Sequence, residues 1–425
     1  KGISRQASLF KIEKEFFNST EEFLDSYSAG AFANESILLK GARIFGFERI
    51  TEALQQKTHE TVLEIDLNAL VHNLNYYRSK LEPGVKVMGM VKAFSYGSGS
   101  YEIANVLQFH QVDYLTVAYA DEGVELRKAG IKLPIMVMNP EDESFDAIIK
   151  YQLEPEIYSF RVLKMLEATL LRLSVNSHPV GIHLKIDTGM HRLGFDPVEV
   201  DELINQLKDR SQIRIKSVFS HLAASDSPAN DDFTRHQVSL FRMISDRICS
   251  EFDYPILRHI ANTAAITRFP EAQFDMVRLG IGLYGIAPMP DEQEKLQNVS
   301  TLRSIISQIK HVPAEDTIGY NRRYKAKNDT TIAIVPIGYA DGLSRALSNG
   351  IGHLKVRGKF APIVGSICMD MTMIDITCIN AHEGDEVIIF GKDLPITRLA
   401  DEMGSIPYEI LTGISQRVKR VYYQE

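Results

Sequence analysis

Lys92 closes the apolar run "VKVMGMV" and opens the glycine-containing stretch "KAFSYGSGS", with Tyr96 four residues on. An amine delivered by a strand to the mouth of a loop is a nucleophile once it loses its proton. Other chemistry-bearing residues also follow short β-branched runs. "KIDTGMHRLGF" carries Lys185 and Arg192, "FSHLA" carries His221, and "HIANTAA" carries Asn262 and Thr263. "VRLGIG" carries Arg278, Gly280 and Ile281. Singly, each has an ordinary structural reading: a rim charge, a satisfied core histidine or a surface ion-pair partner. Together at one end of a set of strands, they make a site.

The elements that must position them follow a repeating pattern. Between residues 60 and 290 short apolar runs ("KVMGMVK", "DYLTVAY", "PIMVMN", "EPEIYS", "GIHLKID", "KSVFSHLA", "LRHIAN", "DMVRLGIGLYG") alternate with amphipathic helical stretches. Strands alternating with helices predict a parallel sheet. Eight units in about 230 residues predict a (β/α)8 TIM barrel, an α/β fold of typically ~250 residues. In such a barrel the chemistry sits at the C-terminal strand ends, and phosphate binds at the loops after the last two strands. There the glycine lets backbone N–H groups approach an anion. A phosphate site beside a strand-end lysine suggests pyridoxal 5'-phosphate held as a Schiff base.

Beyond Thr301 the texture changes to strands separated by glycine and Asp/Asn turns, predicting a mostly β C-terminal domain. The expected units are residues 1–57, 58–298 (the barrel) and 299–425 (the β domain). The first unit shows an acidic helix pattern near "TEEFLDSYSAGAF". The 425-residue chain carries a net charge of −8, which argues against a nucleic-acid surface. A 44% hydrophobic fraction is that of a soluble globular protein, and no run is long and apolar enough to span a membrane. Three scattered cysteines, Cys249, Cys368 and Cys378, fit a reducing compartment, with the cytoplasm as the default, and no metal site is expected. The chain opens on Lys1 rather than Met, which is expected of a sequence whose natural start lies upstream.

The blocks "MVKAFSYGSG", "HLKIDTGMHRLGF", "SHLAASD", "HIANTAA", "DMVRLGIGLYG", "GYNRRY", "PIGYADGLSR", "PIVGSICMDMTMID" and "IPYEILTGISQRVKRVY" resemble the alanine racemase family in order and spacing, over about residues 60–425. The resemblance implies a pyridoxal-phosphate barrel followed by a β domain, working as a head-to-tail homodimer with shared sites to supply D-alanine for peptidoglycan. It implies that Lys92 is the Schiff-base lysine and one of two catalytic bases, and that Tyr320, from the partner subunit, is the other. Arg278 faces the pyridine nitrogen. Tyr96, Thr263, Gly280, Ile281 and Tyr408 hold the phosphate, and His221 and Asn262 line the cofactor. Arg192 and the backbone N–H of Met369 take the substrate carboxylate, Tyr339 is a gate, and Lys185 matches a position often carbamylated.

The sequence departs from the family pattern at Phe94, at Asn321 where glycine is common, and at Ser366 where an arginine often sits. The last change alters the electrostatics met by an arriving substrate. "ILLKGARIFGFERI" resembles the last strand of a Mur ligase C-terminal domain, so residues 1–57 are expected to be the tail of such a ligase. The nucleotide-binding loop of those ligases is absent from the sequence. Rival readings are a pyridoxal-phosphate decarboxylase, a broader-range racemase on the same barrel, and a non-catalytic cofactor-binding module. Arg278 at the ring-nitrogen position and the lack of a triple glycine disfavour the decarboxylase, and Tyr320 and Met369 in a second domain disfavour the lone module.

Overall fold

The computed structural model describes residues 15–27, 60–173 and 179–424, with residues 37, 39, 49, 50 and 54. The acidic pattern near the N-terminus forms the helix Thr20–Ser26, whose first turn is capped by the Ser19 hydroxyl accepting from the Glu22 N–H. The ligase-like text at 37–50 lies outside the described residues except at isolated positions.

Strand β1 (Val62–Asp66) precedes the barrel strands β2 (Lys86–Met90), β3 (Tyr114–Val117), β4 (Ile135–Val137), β5 (Glu154–Ile157), β6 (Val180–Lys185), β7 (Ile213–Phe219), β8 (Leu257–His259) and β9 (Met276–Leu279). The eight barrel strands are all parallel, in the order β8-β7-β6-β5-β4-β3-β2-β9. Backbone bonds from Asp275 N to Arg258 O and from Arg278 N to Ala261 O draw β9 onto β8 and nearly close the ring. This is the expected TIM-like barrel, and all eight runs read as strands from the sequence are its strands.

Alternate residues of each strand point inward. One apolar cluster on these strands holds Met88, Tyr114, Met136 and Met276, packed with Phe219. Burying each methionine contributes about 1.5–3 kcal/mol. Glu154, Glu156, His183, Lys185, Ser217, His259 and Arg278 share those strands, and all but Glu154 are buried. Burying polar groups gives no such gain, so these positions need another explanation.

The second domain contains β10 (Ser300–Ile305), β11 (Gln308–Val312), β12 (Thr317–Ile318), β13 (Tyr324–Lys325), β14 (Thr330–Val335), β15 (His353–Val356), β16 (Lys359–Val364), β17 (Thr372–Asp375), β18 (Glu386–Phe390) and β19 (Lys419–Tyr423). Its main sheet runs β11-β14-β17-β16-β15-β18-β10-β1-β19, and β12 pairs with β13 alone. Strand β1 lies in this sheet, antiparallel to β10 and parallel to β19, although it precedes the barrel in sequence. One apolar core runs continuously from the barrel helices into this sheet.

Candidate active site

After β2 the backbone reverses through four consecutive left-handed residues, Ala93, Phe94, Ser95 and Tyr96, with φ of 52°, 55°, 50° and 52°. Side chains other than glycine lose roughly 1–2 kcal/mol each in that region, so the surroundings must impose it. Ala93 N–H donates to Glu122 at 2.6 Å, Gly97 N–H to Ala93 O at 2.9 Å, and Arg420 Nε to Gly97 O at 3.1 Å. Gly97 itself (φ 79°) is required, because a Cβ there would lie 2.1 Å from the Leu411 carbonyl oxygen. The strained turn is thus clamped by the second domain, and it sets Lys92 and Tyr96 at the barrel mouth.

Lys92 is half-buried, and its Nζ forms no hydrogen bond or ion pair with the described residues. Burial holds its amine below the ordinary lysine range, the charges of Arg192 and Lys185 push the same way, and Glu122 opposes them. A larger neutral fraction is what an amine nucleophile or base needs.

Arg278 on β9 is buried, 5.3 Å over the Phe219 ring. Burial lowers its pKa to about 10, so it stays a cation at neutral pH. Its NH1 donates to His259 Nδ1 at 2.8 Å, and its NH2 donates to Ser220 O at 2.7 Å and Ile260 O at 3.1 Å. His221 Nδ1 is a longer partner at 3.4 Å. Its Nε has no acceptor among the described residues. Burial first, then Arg278, Arg192, Lys185 and Lys92, push the His221 imidazole down to about 3, so it is neutral.

On the other side of the mouth, Asn262 Oδ1 caps the helix Thr263–Arg268 by accepting from Ala265 N–H at 3.1 Å, and it takes the Ser225 hydroxyl at 2.8 Å. Thr263 Oγ1 accepts from Gly280 N–H at 3.0 Å, joining the loops after β8 and β9. Ile281 follows, buried. Tyr96 packs against Tyr284 at 4.8 Å and against Tyr408 at 5.6 Å between ring centroids. Burial holds the Tyr96 phenol up and pushes Tyr408 up to about 12, so both hydroxyls keep their protons. Neither makes a hydrogen bond with the described residues. A Cβ on Gly280 would lie 3.1 Å from the Tyr96 hydroxyl, so glycine keeps this cradle open.

Lys185 is paired not with Arg192 but with Glu156 on the neighbouring strand, at 2.8 Å and with both side chains buried. Burial pushes the Glu156 carboxyl up, while Lys185, Arg278 and Arg192 pull it back toward the anion. Arg192 is exposed, and the described residues give it no hydrogen bond or ion pair. Tyr320, Tyr339 and Met369 lie in the second domain, 70%, 43% and 53% exposed. Backbone bonds from Tyr339 N to Cys368 O and from Ala340 N to Met369 O bring the last two together. A Cβ on Gly319, next to Tyr320, would come within 3.3 Å of Ser366 N, on the loop that carries Met369. Among the described residues, no hydrogen bond, ring contact or ion pair joins these three to a barrel residue of the same chain.

The structure therefore gathers Lys92, Tyr96, Lys185, Arg192, His221, Asn262, Thr263, Arg278, Gly280, Ile281 and Tyr408 at one barrel mouth, and holds Tyr320, Tyr339 and Met369 apart on another surface. Sequence reasoning missed Glu156, His259, His183 and Glu154. The signal was present: charged and imidazole residues two apart inside otherwise apolar strands, in "EPE" and "HLK".

Pyridoxal phosphate requires an amine for its aldehyde, a partner for its ring nitrogen and donors for its phosphate. Lys92 Nζ, Arg278 Nε and the two unpartnered tyrosine hydroxyls with the Thr263–Gly280 junction are groups of those kinds, so the residues fit the cofactor. Among the described residues no group of three His, Cys, Asp or Glu side chains could hold a metal ion, and no helix is long and apolar enough to cross a membrane.

The chain is similar to known proteins over both of its domains. Residues 65–288 match the family model for the alanine racemase N-terminal domain, and residues 299–422 match that for the C-terminal domain. Alanine racemase 2 of Caldanaerobacter subterraneus subsp. tengcongensis is 38% identical over 372 residues, covering 85% of this chain and 94% of that protein. The solved alanine racemase of Clostridium difficile 630 is 37% identical with a TM-score of 0.80, covering 86% of this chain and 96% of that one. The alanine racemase of Bartonella henselae, solved with covalently bound pyridoxal phosphate, is 27% identical with a TM-score of 0.78, covering 86% and 99%.

Proposed function

The chain belongs to the alanine racemase family, and we propose that it interconverts L- and D-alanine as a pyridoxal-phosphate-dependent isomerase with two catalytic bases. The observation that carries this reading is a half-buried Lys92 amine in the same mouth as an Arg278 guanidinium whose two terminal nitrogens are engaged, while Lys92 Nζ and Arg278 Nε have no partner among the described residues.

When bound, pyridoxal phosphate supplies the electron sink that makes the substrate Cα–H acidic. Lys92 Nζ, depressed toward the neutral amine, moves the proton on one face of Cα. A single base cannot serve both faces, so the second is Tyr320 Oη. Arg192 orients the substrate carboxylate, together with the Met369 backbone N–H. Arg278 only donates hydrogen bonds, so it leaves a ring nitrogen unprotonated and tempers the sink, which favours reprotonation over transamination. Neutral His221 adds no charge beside it.

Tyr320, Tyr339 and Met369 are exposed and, among the described residues, unconnected to the barrel mouth of their own chain, which supports a head-to-tail homodimer in which a second copy completes each site. Lys92, Lys185, Arg192 and Arg278 against Glu156 and Glu122 make the mouth cationic, suited to a phosphate and a carboxylate. We read the chain as units 1–57, 58–298 and 299–425, with strand β1 of the middle unit lent to the sheet of the last, and the first unit read from its sequence as the tail of a Mur-ligase-like domain. A cytoplasmic role in supplying D-alanine to peptidoglycan accords with this assignment. The test is an assay of purified protein on L-alanine, L-serine and L-lysine with the visible cofactor band recorded in parallel. D-alanine formation with the band supports the reading, and a band without any racemisation overturns it.

A further inference from the structure

We propose that Glu156 is a positioning residue, the anion built into this chain's cationic barrel mouth, which keeps Lys185 an unmodified ammonium and leaves Arg192 free for the substrate carboxylate. The role of Arg192 rests on the function proposed above; the state of Lys185 does not.

Glu156 is wholly buried in the middle of "EPEI", where an unpaired carboxylate is very costly. Parallel pairing of β5 with β6 sets Glu156 beside His183, so Lys185, two residues further along β6, reaches it from the same inward face. The ion pair is 2.8 Å long, with Lys185 4% exposed. The other carboxylate oxygen, Oε2, is buried and has no hydrogen-bond partner, while Arg278 and Arg192 both act on it through their charge. The pair is therefore not a surface accident: a lone buried acid faces three cations.

Carbamylation of Lys185 needs a neutral amine. Its lone pair forms the N–C bond to carbon dioxide, a C=O electron pair moves onto oxygen, and the amine loses a proton to a base. Glu156 opposes each requirement. Its carboxylate takes the Lys185 nitrogen in an ion pair at 2.8 Å, and the resulting carbamate would place a second anion within a few ångströms of a buried carboxylate. A carbamate would also seek the guanidinium fork of Arg192. With Glu156 in that role, Arg192 keeps its full donor set.

The test equilibrates the holoenzyme with isotopically labelled bicarbonate and observes the carbamate carbon by NMR. The wild-type protein should show no lysine carbamate. Glu156→Gln should show one, lost again in the double variant with Lys185→Arg. In Glu156→Gln the KM for L-alanine should become bicarbonate-dependent by about tenfold, as expected for one competing charge interaction, with kcat changed less, while the wild type ignores bicarbonate. A carbamate on Lys185 of the wild-type protein overturns the proposal, and so does a folded Glu156→Gln with neither carbamate nor altered KM. If Glu156→Gln does not fold, the wild-type spectrum still decides the modification, and Glu156→Asp should restore an uncarbamylated, bicarbonate-indifferent enzyme. An enzyme that fails to racemise alanine would sink the function while leaving the labelling result readable.

Discussion

Glu154 and Arg278 stand at the two ends of one hydrogen-bond chain that crosses the barrel interior. Arg278 NH1 meets His259 Nδ1 at 2.8 Å, His259 Nε2 meets Ser217 Oγ at 2.8 Å, Ser217 Oγ meets His183 Nδ1 at 2.6 Å, and His183 Nε2 meets Glu154 at 2.9 Å. A guanidinium only donates and a carboxylate only accepts. The assignment that uses every hydrogen makes both histidines neutral and protonated on Nε2, with Ser217 donating to His183. A register shift between Ile182 and His183 sets His183 opposite Ser217 and completes the chain.

Ser217→Ala removes the hydroxyl that links the two imidazoles at the centre of this chain. His259 Nε2–H and His183 Nδ1 would be left buried and unpaired, at about 1–3 kcal/mol each. Urea denaturation should show a loss of about 2–6 kcal/mol, and the Arg278-sensitive cofactor absorbance should shift. A loss below about 1 kcal/mol with an unchanged spectrum would show that the chain is not continuous.

The neutral imidazoles also set a pH dependence. His221 is pushed down to about 3 and His259 well below its ordinary value, both chiefly by burial and then by Arg278. Unfolded imidazoles titrate near 6.5. Below that pH the unfolded chain binds protons that the folded chain refuses, so stability should fall as pH drops from about 6.5 toward 3, by up to ~1.4 kcal/mol per pH unit for each histidine. Glu156, held up by burial, contributes with the opposite sign near its own titration. The comparison is therefore between wild type and His221→Asn at fixed protein and cofactor concentration, where the variant should show the shallower slope. Equal slopes would mean that His221 is protonated in the fold.

Much of this was legible in the sequence because the strand-end residues follow short, punctuated apolar runs with a clear strand-helix period. Lys92, Arg278 and the Asn262–Thr263 pair could be placed on that pattern alone. Glu156 and His259 could not: apolar periodicity picks out the strand but not which of its polar residues point inward, and only the two-residue spacing of the charges in "EPE" and "HLK" hinted at it. The left-handed run Ala93–Tyr96 was equally hidden. None of those residue types prefers positive φ, and the conformation is imposed by Arg420, more than 300 residues away in sequence. The placement of β1 in the second sheet is likewise a long-range pairing that local sequence does not encode.

Gly97→Ala tests that clamp. The new methyl would meet the Leu411 carbonyl at 2.1 Å, at a φ of 79°. The turn or the second-domain helix Pro407–Gly413 must move, which should cost on the order of 3 kcal/mol. Because Tyr96 and Tyr408 sit on the two moving parts, cofactor affinity should fall together with the melting temperature. A variant with wild-type stability and cofactor affinity would show that the strained turn is not held by this contact.

Lys92 and Tyr320 should be separable by subunit. Lys92→Ala should lose the visible cofactor band of the holoenzyme, since the other amine at the mouth among the described residues, Lys185, is tied to Glu156. Tyr320→Phe should keep the band, lose racemisation, and lose solvent-deuterium exchange into one enantiomer of alanine only, because the Lys92 face is untouched. If Tyr320 reaches its site from a second copy, each inactive homodimer carries the group the other lacks. In a twofold dimer, a mixed pair holds one site with both groups intact and one with neither. Random exchange of the two variants makes about half of the dimers mixed, so about a quarter of all sites should regain activity. Co-refolding or co-expression with two affinity tags isolates the mixed dimer, whose activity should approach half that of wild type. A purified mixed dimer without activity would place both bases of each site in one chain.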